Sequence, residues 1–277
     1  MIEVDADNLY DLWVKGCLRC LRMPTKRIDV ATSMWSATYD MVLTSPSMDF
    51  SGFDMGKHLW FTPQRWTKLQ RDYLEPSEVP LFIDRCHQIF ERHEKTGAIA
   101  MMPCKIARAS TGRDLHRWGN CMIGISYRGG PKYTQPTFTL HSRASYIAVL
   151  GGLDIALVWA IAKELSRRTR FPVKNMAFRW HIDSVQWHAF KSLPFLASHE
   201  LIDEVKRATA TQHNAFITHK MVTAFEGRHR DEGADTIVYS ALRRLVQLYH
   251  DWQDGALDRS TPIKGLRLNP RYLGGHE

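Results

Sequence analysis

Residues 141–169 read HSRASYIAVLGGLDIALVWAIAKELSRRT. Asp154 is the only charge between Arg143 and Lys163. From Ile155 to Ala162 every side chain is apolar, so no face is left for water and the spacing predicts a buried helix. Asp154 suits its N-cap, and Arg167 and Arg168 suit the negative end of its dipole. A helix apolar all round must be covered by other layers. Just upstream, Cys121–Tyr127 and Thr137–Leu140 read as two strands around the hairpin loop RGGPKYTQP. Downstream, residues 176–188 (MAFRWHIDSVQWH) are strand-like.

Further out, Leu9, Leu12, Trp13, Gly16 and Cys20 recur at helical spacing over residues 8–22, and Pro24 ends the pattern. Residues 34–45 alternate as a strand, with Tyr39, Met41 and Leu43 on one side; Ser45–Gly56 reads as a loop. Residues 79–95 predict an amphipathic helix with Leu81, Ile89 and Phe90 inward and Gly97 as its stop. Ala208 to Phe225 and Asp235 to Trp252 are the helical segments after residue 200, and residues 254–277 predict an extended C-terminal tail. No stretch reads as a linker. The fold class expected is α+β: one domain over residues 1–277, with helices flanking a mixed or antiparallel sheet.

Composition excludes several classes. Nine Trp, twelve Phe and nine Tyr in 277 residues supply enough apolar area to exclude disorder as the main state. No apolar run approaches the roughly 20 residues of a membrane span, so no membrane partner is expected. The N-terminal MIEVDADNLYDLW lacks the layout of a secretory signal. Five Cys, an odd and sparse set, point to free thiols in a reducing compartment, hence a cytoplasmic location. The charge balance, 37 − 29 = +8, favours anionic partners, either nucleic acid or phosphorylated small molecules. The basic residues are scattered. Arg167-Arg168-Thr169-Arg170 and Arg228-His229-Arg230 read as solvated faces, so nucleic acid is not the expected partner.

Few residues carry chemistry. Cys17-Leu-Arg-Cys20 is a lone CxxC on a helical pattern with no second pair, and reads as structural. No phosphate-cradling Gly loop, HExxH or GxSxG occurs, and no metal site is expected. Cys121 stands where a loop enters a strand, with Arg113, His116, Arg117 and Arg143 near in sequence; positive neighbours lower a thiol's pKa. Cys104 is a rival thiol. Arg143, at a strand exit, can clamp a phosphate. Asp154 reads either as a plain N-cap or as a carboxylate facing a ligand with two donors, such as cytosine protonated at ring nitrogen 3. Gln186 and His188 lie two apart on one strand face, where both can bond a hydroxyl.

In this order, Cys121, Arg143, Asp154 and Gln186-x-His188 resemble the stations of the thymidylate synthase superfamily over roughly residues 8 to 196. Those stations are a nucleophilic Cys entering a strand, a phosphate-binding Arg after the hairpin, a base-edge reader eleven residues on, and a sugar-binding pair. Asp in place of the usual Asn at 154 is similar to the phage deoxycytidylate hydroxymethylases. The resemblance implies a thymidylate synthase-like fold and a homodimer. It also implies a transferase that moves a one-carbon unit from 5,10-methylenetetrahydrofolate to (deoxy)cytidylate, giving 5-hydroxymethylcytidylate for DNA modification. In a phage-encoded protein the location would be the host cytoplasm. Cys121 and Asp154 would be catalytic, and Arg143, Asp154, Gln186 and His188 would bind the nucleotide. No folate-binding residue is assigned. The alternatives are a C5 transferase acting on (deoxy)uridylate or a modified nucleotide, and a noncatalytic basic nucleic-acid-binding relative. The chain departs from the pattern at Asn120, Ala144 and Tyr146, at Lys57-His58 where the family has Glu, and near Met101-Met102, where Lys105 or Arg108 would stand in for the partner's Arg.

Overall fold

The computed structural model describes residues 1–21, 27–29, 34–37, 40–92, 98–105, 121–130, 132, 134–188, 192–201, 247, 250–251, 254 and 262–274. The helix expected over Ala208 to Phe225, most of that over Asp235 to Trp252, and the clusters at 113–117 and 228–230 lie outside these residues.

The chain runs β1 (Ile2–Asp5), α1 (Leu9–Leu21), β2 (Arg27–Asp29), β3 (Met34–Ala37), β4 (Met41–Ser45), α2 (Met55–Leu59), α3 (Pro63–Tyr73) and α4 (Glu78–Arg92). It continues as β5 (Ile99–Pro103), β6 (Met122–Gly130), β7 (Thr134–Ser142), β8 (Ser145–Tyr146), α5 (Gly152–Thr169), β9 (Ala177–Ile182), β10 (Val185–His188) and α6 (Leu193–Ser198). Six strands form a mixed sheet in the order β1-β4-β9-β7-β6-β5; four form a second, β2-β3-β10-β8. The mixed α/β architecture and the hairpin of β6 and β7 agree with the expectation.

Period-two alternation places the core. Leu43, Phe178, Trp180, Phe138, Leu140, Ile125, Tyr127, Ala100 and Met102 are buried on one sheet face, in one core with the apolar stripes of α1 and α4 and with α5. The other face carries Thr44, Arg179, His181, Thr139, His141, Ser126 and Met101, all partly or fully exposed. Helix α5 is buried on every side through Ala162, as its composition demands. At its C-terminus Arg168 bonds Asp84 of α4 and lies 3.5 Å from Glu164, so one of the arginines read as a solvated face in fact ties two helices together.

Several expectations are corrected. Residues 34–45 are not one strand: β3 and β4 belong to different sheets. Residues 176–188 likewise split into β9 and β10, because the chain turns at Asp183-Ser184 between the sheets. Leu81 is 62% exposed, and the inward stripe of α4 is Val79, Phe82, Ile83, Cys86, Ile89 and Phe90. Within the expected tail, residues 262–274 are packed rather than loose: Ile263, Leu266, Leu268 and Tyr272 are buried, and the Arg267 carbonyl accepts from Trp66 Nε1 at 2.8 Å. Asp154 is not the N-cap. A π-helical turn over Ile147–Gly151 feeds straight into α5, which begins at Gly152, so Asp154 sits inside the first turn. A Cβ at Gly152 would lie 2.9 Å from Phe53 Cε2, so the absence of a side chain lets Phe53 close over this junction.

Candidate functional site

The hairpin brings two sequence-distant residues together. Met122 pairs with Ser142, so Cys121 and Arg143 are the next residues at the open end of the β6–β7 ladder. The Arg143 N–H donates to the Cys121 carbonyl at 2.9 Å and closes that end. On the other side, the Cys104 N–H donates to the Ile123 carbonyl at 2.9 Å, extending the β5–β6 ladder by one rung. The Lys105 N–H donates to the Tyr73 carbonyl at 2.9 Å, which fixes the end of α3 beside these strands. Helix α5 then brings Asp154 into the same group, near enough for a charge on its carboxyl to bear on Cys121, Cys104 and Tyr73.

Asp154 is 0% exposed, and among the described residues neither carboxylate oxygen has a hydrogen-bond partner. Burial holds its carboxyl well above the ordinary 3.8; the Ser145 hydroxyl, itself unpartnered, lies near enough to oppose this slightly without a bond of normal geometry. Burial therefore favours its neutral, protonated form, which has one donor and one acceptor.

Cys121 is half-buried, whereas Cys104 is 5% exposed. Burial first, then a charge on Asp154, push the Cys121 thiol up to about 11, and Arg143 pulls the other way. This reverses the expectation of a lowered thiol pKa, because desolvation outweighs the one described cation. Burial and Asp154 push Cys104 up to about 12, with no cation opposing among the described residues. Of the two rival thiols, Cys121 is thus the accessible one and the one a guanidinium favours.

Two residues of the group were missed in the sequence. Tyr73 is buried with its phenol shifted upward by desolvation and by Asp154, Cys121 and Cys104; Ser145 is the polar neighbour of Asp154. Neither stands in a motif, and only the fold joins them to the thiol. Gln186 and His188 both lie on β10, two residues apart. Gln186 is half-buried and pairs with Tyr146 on β8, the strand that follows Arg143; His188 pairs with Met34 at the far end. Lys105 lies 3.3 Å from Glu75 and also bonds the Arg71 carbonyl. His58 belongs to a different cluster, with Tyr10 and His199. Cys17 and Cys20 are buried on α1 with both thiols pushed up, Cys20 to about 12, as fits a structural pair. Among the described residues no group of three His, Cys, Asp or Glu is placed to hold a metal, and no helix is long and apolar enough to cross a membrane.

No protein-family model matches the chain, and no curated protein matches it. The site is read from its own chemistry.

Proposed function

We propose that the protein is a pyrimidine nucleotide C5-hydroxymethyltransferase of the thymidylate synthase type, acting on (deoxy)cytidylate. The observation that carries this reading is the convergence of a half-buried thiol, a guanidinium and a buried, unpartnered carboxyl from three separate stretches of chain. Cys121, as thiolate, adds to carbon 6 of the base, and the electron pair displaced makes carbon 5 nucleophilic. Asp154, arriving as a neutral acid, donates to ring nitrogen 3 of neutral cytosine and accepts from the exocyclic amine. The proton count equals that of a carboxylate facing protonated cytosine, but the protein supplies the proton. Arg143, exposed at the strand exit, is free to hold the nucleotide phosphate. The folate donor is a co-substrate in this reading, and no described residue is assigned to it. The homodimer that the resemblance implies would have the exposed apolar residues Ile99 and Met101 of β5 and Ile123 of β6 to cover.

One observation favours a second reading within the same chemistry. A neutral Asp154 also complements uracil, accepting from its ring N–H and donating to its carbonyl, so a C5 transferase acting on uridylate fits the same geometry. A nucleotide screen with methylenetetrahydrofolate separates the two: a product carrying a hydroxymethyl group on cytidylate supports the first, and turnover of uridylate alone supports the second. Cys121→Ser abolishes covalent trapping of nucleotide by mass spectrometry, while Cys104→Ser retains it. Trapping that survives Cys121→Ser defeats both readings.

A further inference from the structure

Away from the thiol site, Tyr10 of α1, His58 of α2 and His199, the residue after α6, meet in one network. The Tyr10 hydroxyl lies 3.3 Å from His58 Nε2 and 3.1 Å from His199 Nε2. The outer nitrogens decide which atom carries each proton. The Asp54 N–H donates to His58 Nδ1 at 3.0 Å, so that nitrogen is unprotonated and the neutral ring carries its hydrogen on Nε2. His199 Nδ1 lies 2.8 Å from the Phe195 carbonyl, which only accepts, and 3.0 Å from the Ser198 hydroxyl, whose own hydrogen goes to that same carbonyl at 3.2 Å, so His199 carries its hydrogen on Nδ1 and leaves Nε2 to accept. The hydrogen bonds therefore run one way: His58 Nε2–H to the Tyr10 oxygen, Tyr10 O–H to His199 Nε2, and His199 Nδ1–H to Phe195.

We propose that this chain is an acid-sensitive latch, with the Tyr10 hydroxyl as its pin, that clamps α6 onto α1 and α2 while both imidazoles are neutral. Protonating His58 sets an N–H against the Asp54 N–H; protonating His199 sets one against the Tyr10 O–H. Either change turns an acceptor into a donor that faces a donor. The surroundings leave little room for adjustment: Trp13 packs edge-on to Phe195 at 5.2 Å, Phe195 lies 4.4 Å from His199, and His58 is 3% exposed. The charged and titratable groups that face the pair are Lys57, which opposes protonation of both rings, Asp54, which favours it at His58, and Asp11 beside Tyr10. Burial and these charges hold His58 down at about 4 and His199 below its ordinary 6.5.

The same directionality excludes a metal at this point. A metal on His58 Nε2 would require the hydrogen on Nδ1, where the Asp54 N–H already points.

The test is long-range ¹H–¹⁵N NMR of the imidazoles in the full chain from pH 7.5 downward, with amide-exchange protection of α6 and α5 followed in parallel. The expected result is opposite tautomers, hydrogen on Nε2 of His58 and on Nδ1 of His199, with the protection of α6 falling at least tenfold more than that of α5 as His58 titrates. Tyr10→Phe is expected to produce the same selective loss at pH 7. Like tautomers, titration of His58 near 6.5, or α6 protection that follows α5 throughout overturns the latch. Should Tyr10→Phe not fold, the tautomers of the native chain decide alone. None of these readouts depends on whether the protein binds a nucleotide.

Discussion

Replacing Asp154 by Asn tests the electrostatics of the site without any ligand. The side chain keeps its size and its one donor and one acceptor, but loses its ability to ionise. In the folded protein the carboxyl is 0% exposed and unpartnered, and its pKa lies well above the 3.8 of the unfolded chain. A raised carboxyl pKa contributes stability that is complete below the unfolded value and is lost as pH rises toward the folded one, because the unfolded chain releases its proton first. Between those limits the wild type loses about 1.4 kcal/mol per pH unit from this group, and Asp154→Asn loses nothing from it. The stability of the variant minus that of the wild type should therefore rise by about 1.4 kcal/mol from pH 4.5 to 5.5. Urea unfolding of both proteins at the two pH values measures it, provided that the slopes agree. A gap that stays constant would mean that Asp154 ionises normally in the folded state. The neutral-acid pairing with the base would then fail.

Other outcomes follow from the same geometry. With its thiol pushed up to about 11, Cys121 should react with iodoacetamide about tenfold faster per pH unit from 7 to 10, and faster than Cys104 throughout; a rate that levels off near pH 8 would mean an activated thiolate. Gly152→Ala gains helix propensity but drives Phe53 off its stack on Phe50, so it should destabilise by roughly 1–3 kcal/mol in urea unfolding; a more stable variant would show that the ring moves freely. His58 has a lowered pKa, so its contribution is complete above 6.5 and is lost as pH falls toward about 4, by at most about 3 kcal/mol. His58→Gln should flatten this part of the stability profile, and an unchanged profile would assign the acid sensitivity elsewhere.

Much of the fold was legible because it rests on local periodicity. The all-apolar run after Asp154, the stripes of α1 and α4 and the hairpin of β6 and β7 are each fixed by the period of their own side chains. What periodicity cannot show is which sheet a strand joins. Residues 34–45 and 176–188 each alternate as one strand, yet each supplies strands to two sheets, since pairing partners lie far away in sequence.

The candidate site divides along the same line. Sequence alone supplied Cys121, Arg143 and Asp154, because a thiol at a strand entrance, an Arg at a strand exit and a lone acid in an apolar run are conspicuous against their neighbours. Only the tertiary structure supplied Tyr73 and Ser145, whose environments come from α3 and β8, and only it set the protonation of the group. Basic neighbours along the chain suggested a low thiol pKa, and the cytosine reading took Asp154 as a carboxylate. Burial raised both pKa values, since the cost of desolvating a charge depends on what surrounds it in space and leaves no mark in the order of residues.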